Sequence, residues 1–140
     1  MKIFLDANIL VSVLNKEYPL FTYTARIVSL ADNKKFTICT SPVCLAIGFY
    51  FAEKDCGKKM AKQKIDLLAS KLTILNLGEK EVIQALTNKM VDDFEDGMQY
   101  YAALANKCML IITEDINDFY FSKIEVLKAK DFINGLLKVD

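Results

Sequence analysis

Apolar and polar positions follow two rhythms along this chain, and the changes of rhythm mark out its elements. Ile3 to Leu5 is a short β-rich run ended by Asp6, and Ile9 to Leu14 then takes up helical spacing. Pro19 falls in the first turn of a helix predicted to run to about Ala31, and Asp32-Asn33-Lys34-Lys35 makes a turn. Phe36 to Cys39 is a second strand. Ser41-Pro42 reads as an N-cap followed by proline at the first helical position. That helix carries the longest apolar run, Val43 to Ala52, on to about Glu53. Gly57 breaks it, and Lys58 to Ser70 forms the next helix. Leu72 to Leu75 is a third strand and Glu79 to Lys89 a helix. Asp93 is the N-cap of a longer helix, Phe94 to Lys107. Met109 to Thr113 is the strongest strand signal, a continuous apolar run between polar ends, which suits a strand covered on both faces. Ile124 to Leu127 is a short fifth strand, and Lys130 to Leu137 closes with a helix.

Strands alternating with helices predict an α/β protein, a three-layer α/β/α sandwich around a parallel sheet of four to five strands. No linker, repeat or low-complexity segment interrupts the 140 residues, so they read as a single domain, 1–140, with room for a real core.

Composition narrows the chemistry. Apolar residues make up 53% of the chain and charged residues 26%, the balance of a folded globular protein. Lys plus Arg and Asp plus Glu each number 18, and this zero balance argues against a protein built to coat nucleic acid non-specifically. There is no histidine, which excludes an imidazole base, a histidine metal ligand and a Ser-His-Asp triad. Cys39, Cys44, Cys56 and Cys108 form no C-x₂-C pair, which argues against zinc. Most of them sit in apolar runs and read as buried thiols in a reducing, cytoplasmic setting. The first residues lack the apolar stretch of a signal peptide, and the Val43–Ala52 run is too short to span a membrane.

The carboxylates carry the functional argument. Open parallel sheets bind ligands outside the carboxyl ends of their strands, where strand order reverses. Asp6 ends strand one and Asp115 follows strand four, so both meet at one edge if those strands are neighbours. Asp96, in the first turn of the helix before strand four, can point at the same edge. Like charges brought so close raise one another's pKa, and a divalent cation removes that cost. Oxygen-only ligands select Mg²⁺ or Mn²⁺. Such an ion acidifies water and neutralises charge developing on phosphate, so the set suits phosphodiester hydrolysis. The plainer reading of any single Asp is a loop start or helix cap, and Asp32, Asp93 and the solvated Asp66 fit it.

Three motifs together resemble the PIN-domain family. They are Asp6-Ala7-Asn8 after an apolar strand, Asp93-Phe94-Glu95-Asp96-Gly97-Met98-Gln99 at a helix start, and Ile111-Ile112-Thr113-Glu114-Asp115-Ile116-Asn117-Asp118-Phe119 at a strand end. The resemblance covers nearly the whole chain. It implies a PIN-like fold and a metal-dependent nuclease acting on RNA, with VapC-type toxins of bacterial toxin–antitoxin pairs as the small single-domain members. Carried over, it makes Asp6, Asp96 and Asp115 metal ligands for Mg²⁺ or Mn²⁺. Asn8 and Thr113 become supports, Asp118 an extra acidic member, and an antitoxin protein a partner. The family usually places a Glu about five residues after the residue matching Ser41; here that position is Ala46, inside the apolar run. Glu95 either compensates or simply places negative charge at a helix N-terminus.

Other features bear on partners. Lys54, Lys58, Lys59, Lys62 and Lys64 are either a solvated helix face or RNA phosphate contacts. The Val43–Ala52 helix has no polar face, so a second subunit or an antitoxin peptide is expected to cover what the sheet does not. Phe49, Tyr50, Phe51, Tyr100 and Tyr101 are read mainly as core, with base stacking as the alternative. Two rival functions remain. One is a catalytically inactive PIN-fold binding module. The other is an aspartate-nucleophile phosphotransferase resembling the haloacid-dehalogenase fold, which wants a second Asp where this chain has Asn8.

Overall fold

The computed structural model describes residues 1–139. Its strands are β1 (Lys2–Leu5), β2 (Thr37–Thr40), β3 (Thr73–Ile74), β4 (Leu110–Ile112) and β5 (Glu125–Leu127). Its helices are α1 (Ala7–Leu14), α2 (Phe21–Ser29), α3 (Pro42–Cys56), α4 (Lys58–Lys71), α5 (Glu79–Thr87), α6 (Phe94–Ala105) and α7 (Ala129–Val139). Each element falls where the apolar rhythm placed it, with ends shifted by a few residues. Pro19 is the exception: it precedes α2 rather than opening it, in a cis peptide with Tyr18. The residues to Asp32 continue as a 3₁₀ turn, Leu30–Asp32, rather than as α-helix. A second 3₁₀ turn, Ile116–Phe119, was not legible in the pattern.

The five strands form one parallel sheet in the order β3-β2-β1-β4-β5. The chain winds outward from β1 through β2 to β3, then returns to the other side of β1 with β4. Strand order therefore reverses between β1 and β4, which leaves a crevice beyond their carboxyl ends. Ile3, Phe4 and Leu5 pair with Leu110, Ile111 and Ile112. All six are buried, as expected of central strands covered on both faces.

Two glycines set the approach of the flanking helices. A Cβ on Gly48 would meet Leu14 Cδ1 at 3.0 Å, so its absence lets α3 lie close on α1. A Cβ on Gly97 would meet Val91 Cγ1 at 2.6 Å and Ala85 Cβ at 2.9 Å, so α6 packs on α5 only without a side chain there. The apolar α3 turns its Cys44, Gly48 and Ala52 inward and leaves Pro42, Ala46 and Tyr50 exposed. No described helix is long and apolar enough to cross a membrane.

Candidate active site

The register of β1 and β4 places Asp6 and Thr113 side by side, each one residue past its strand. Asp6 continues the ladder through its N–H to Ile112 O at 3.1 Å. It is also the N-cap of α1, with Oδ1 accepting from Ala7 N–H at 2.8 Å. Its other oxygen, Oδ2, accepts from the Thr113 hydroxyl at 2.8 Å. The Thr113 oxygen in turn accepts from Asn8 Nδ2 at 3.0 Å and from Asp115 N–H at 3.1 Å, so its one hydrogen and two lone pairs are all used. Asn8 Oδ1 accepts from Glu114 N–H at 3.1 Å, and its Nδ2 reaches Asp115 Oδ2 at 3.2 Å. Asn8 thus bridges the β1 and β4 loops and orients both carboxylates.

The third side is α6. Asp93 caps it by accepting from Asp96 N–H at 3.0 Å, which presents Glu95 and Asp96 in its first turn. Behind the site, Ser41 caps α3 by accepting from Cys44 N–H at 3.1 Å and donates to Gln99 Oε1 at 2.5 Å. That bond ties the start of α3 to the helix bearing Asp96. Gln99 closes the motif that begins at Asp93, but nothing in the sequence linked it to Ser41.

These residues line a pocket of about 370 Å³. It brings together Asp6, Asn8, Glu95, Asp96, Asp115 and Asp118, all singled out in the sequence, while Thr113 is fully buried behind Asp6. Asp93, expected only as a cap, also lines it, and Glu17 joins from the loop after α1 without any signal in the sequence. The opposite wall is apolar: Ala7, Val11, Ile47 and Phe51. The α3 position facing the pocket is Ile47, not Ala46, which is exposed on the outer face; the acidic corner is vacant one residue later than the spacing suggested.

Seven carboxylates share this pocket, and neither described ion pair involves any of them. Burial raises the Asp6 carboxyl above its ordinary value; the bonds from Thr113 and Ala7 oppose this, while Asp115 and Asp118 add to it. Asp96 is pushed up to about 7, first by burial and then by the charges of Asp93, Asp6, Asp118 and Glu95. Glu95 is raised by burial and then by Asp93 and Asp6. The Cys44 thiol is pushed up to about 12, by burial first and then by Asp6, so it stays a neutral packing group beside Asp6. The donor set is oxygen-only, which fits a hard divalent cation. Among the described residues no three Asp, Glu, Cys or His side chains are drawn together as a ready ligand group.

The lysines belong elsewhere. Lys54, Lys58, Lys59 and Lys62 are exposed, whereas Lys64 is half-buried and donates to Leu14 O at 3.0 Å; none of them lines the pocket. Tyr100 is core and Phe49 and Tyr101 half-buried, but Tyr50 and Phe51 are exposed, against their reading as core.

Comparison with known proteins bears on the family and the fold. The family model described as PIN domain matches residues 2–117. Ribonuclease VapC1 of Aquifex aeolicus (strain VF5) is 30% identical over 135 residues, covering 94% of this chain and 92% of that protein. A chain of VapBC2 from Rickettsia felis, solved bound to a DNA fragment from their promoter, superposes with a TM-score of 0.71 at 23% identity, covering 91% of this chain and 98% of that one. Mycobacterium tuberculosis VapC20, a Sarcin-Ricin loop cleaving toxin, superposes at 0.66 with 15% identity, covering 88% and 98%. The last two likenesses speak for the fold, and the match along residues 2–117 speaks for descent: this chain belongs to the PIN-domain family.

Proposed function

We propose that this chain is a metal-dependent endoribonuclease that hydrolyses RNA phosphodiester bonds, and that it is the toxin of a bacterial toxin–antitoxin pair. The observation that carries this reading is the pocket at the β1–β4 switch point, where seven carboxylates converge with no cationic side chain paired to any of them among the described residues. Asp6, Asp96 and Asp115 are the ligands in this reading, with Glu95 and Asp118 beside them. Mg²⁺ or Mn²⁺ held there would supply a Lewis acid for the scissile phosphate and relieve the repulsion among the carboxylates. The protein's own part is orientation. Thr113 and Ala7 fix both oxygens of Asp6, and Asn8 holds Asp115 against Thr113. The ribonuclease name of the Aquifex relative and the toxin description of VapC20 support RNA as substrate.

Partners follow the same line. An apolar groove of Val13, Leu14, Val28, Leu67 and Leu68 is rimmed by Lys16, Lys64 and Lys71, which suits an apolar, acidic segment of an antitoxin. The exposed Pro42–Ala46–Tyr50 stripe of α3 suits a homodimer contact. Four free cysteines suit the cytoplasm. The inactive-module reading keeps one observation in its favour, Ile47 in the acidic corner.

The experiment is RNA cleavage by the purified chain with Mg²⁺ or Mn²⁺, with chelator, and with Asp6→Asn and Asp96→Asn. Cleavage that needs metal and both carboxylates supports the proposal. A folded chain that stays inert with either metal over varied RNAs overturns it in favour of the binding module.

A further inference from the structure

The pocket is two-faced. One side is carboxylate and can hold a phosphate only through a cation. The other is Val11 and Ile47 on neighbouring helices, closed by the ring of Phe51. Ile47 and Phe51 are one helical turn apart on α3, so they present one continuous surface. Phe51 is 43% exposed although it is a large apolar side chain, and it is the one aromatic residue lining the pocket. Its turn of helix is held in place. Asn15 donates to Phe51 O at 3.4 Å, and Tyr50 meets the Phe51 ring edge-on at 5.2 Å between centroids. Lys54, three residues further along α3, stands over the Tyr50 ring at 4.5 Å. It sets a positive charge at this end of the helix.

We propose that the Val11–Ile47–Phe51 wall is a subsite for one unstacked nucleobase of single-stranded RNA, with the Phe51 ring as its stacking platform. This rests on the nuclease reading for its substrate class. The carboxylate side engages the strand only at a phosphate and only through a cation, so what the uncharged Val11–Ile47–Phe51 side can add is contact with a group that is neutral and flat. A nucleobase is the part of the strand that meets both conditions, and aromatic stacking holds any base because each has a π-face. A duplex keeps its bases stacked on one another, so the subsite selects looped or single-stranded RNA. The pocket volume of about 370 Å³ lies in the range of small-ligand sites, which leaves room for one base beside its phosphate.

The test uses the full chain and short single-stranded oligoribonucleotides carrying 2-aminopurine at each position in turn, with Ca²⁺ for binding and Mg²⁺ or Mn²⁺ for cleavage. The expected result is fluorescence quenching at one position adjoining the cleaved bond. Phe51→Leu keeps an apolar side chain but removes the ring. It is expected to abolish that quench and weaken binding by about 5- to 150-fold, the worth of one base–aromatic stack. Phe51→Tyr is expected to restore both, and Phe51→Leu is expected to cost nothing on an oligomer abasic at the reporting position. Circular dichroism checks that each variant is folded. Quenching at no position, or Phe51→Leu binding as tightly as the parent, overturns the subsite even if cleavage proceeds. A ring-dependent quench without cleavage supports the subsite and sinks the nuclease reading instead.

Discussion

Thr113 donates its hydroxyl hydrogen to Asp6 Oδ2 at 2.8 Å, across the seam between the first and fourth strands. The bond is fully buried on the Thr113 side and leaves Asp6 only 6% exposed. Replacing Thr113 by Val keeps the shape and removes the donor. Asn8 Nδ2 and Asp115 N–H then lose their acceptor as well. The variant is expected to unfold about 1–3 kcal/mol more easily and to lose about 10- to 100-fold in RNA cleavage. Thr113→Ser should keep most of both. Denaturant titration and initial cleavage rates check this, and unchanged values for Thr113→Val would show that Asp6 is oriented by Ala7 alone.

Asp6→Asn separates function from stability. The amide can still accept from Ala7 N–H and fits the same space, but its NH₂ then faces the Thr113 hydroxyl and Asn8 Nδ2, which lose their acceptor, while a buried negative charge among like charges is removed. The two effects oppose each other, so thermal stability without metal is expected to change little at pH 8, while RNA cleavage falls by at least about 100-fold. A large drop in melting temperature would mean that the carboxylate is structural.

The raised carboxyls of Asp6, Glu95 and Asp96 give the stability a definite slope with pH. Each binds its proton more tightly folded than unfolded. Their contribution is therefore fully present below the ordinary carboxylate range, near pH 4, and is lost as pH rises through about 7, where Asp96 ionises. Metal-free protein is expected to melt at a higher temperature at pH 5.5 than at pH 8, and Asp96→Asn to flatten that difference. Differential scanning calorimetry in chelator reads both.

Divalent ions act on the same groups in the opposite sense. They compete with protons, so apparent Mn²⁺ affinity is expected to weaken as pH falls through about 7. The stabilisation by excess Mn²⁺ should be larger at pH 8 than at pH 6. Isothermal titration at the two pH values checks it, and equal affinities would remove Asp96 from the ligand set.

Gly97→Ala tests how α6 is seated. The added methyl would lie 2.6 Å from Val91 and 2.9 Å from Ala85, so helix or loop must shift. Overpacking of this kind costs about 1–3 kcal/mol. The shift moves the adjacent Asp96, so cleavage is expected to fall further than folding alone explains. Gly135→Ala, inside α7 with nothing within 4 Å, is the control: it should raise stability by about 0.5–1 kcal/mol through helix propensity and leave cleavage unchanged.

Much of this protein is decided locally and was open to reading from the chain. Ser41-Pro42 starts a helix because a hydroxyl cap and a fixed φ act within one turn, and Leu110–Ile112 is a buried strand because nothing polar interrupts the run around it. Asp6 and Asp115 were placed past strand ends by the same local logic, the family resemblance added Asn8 and Thr113, and their meeting needed only that β1 and β4 be neighbours. What the chain could not reveal is rotation and long-range approach. Each helical residue turns by about 100°, so whether Ala46 or Ile47 faces the pocket depends on how α3 rolls against α1, which Gly48 and Leu14 settle by contact. Glu17 reaches the pocket by the path of a loop, and Gln99 meets Ser41 across 58 residues of sequence. Phe51 is exposed because its turn of α3 points into the pocket rather than into the core. The order of elements and the positions of Asp6 and Asp115 past their strands thus belong to the sequence alone, since periodicity and strand ends are properties of a few neighbouring residues. The apolar wall opposite those carboxylates belongs to the tertiary structure, since it exists only where two helices happen to pack.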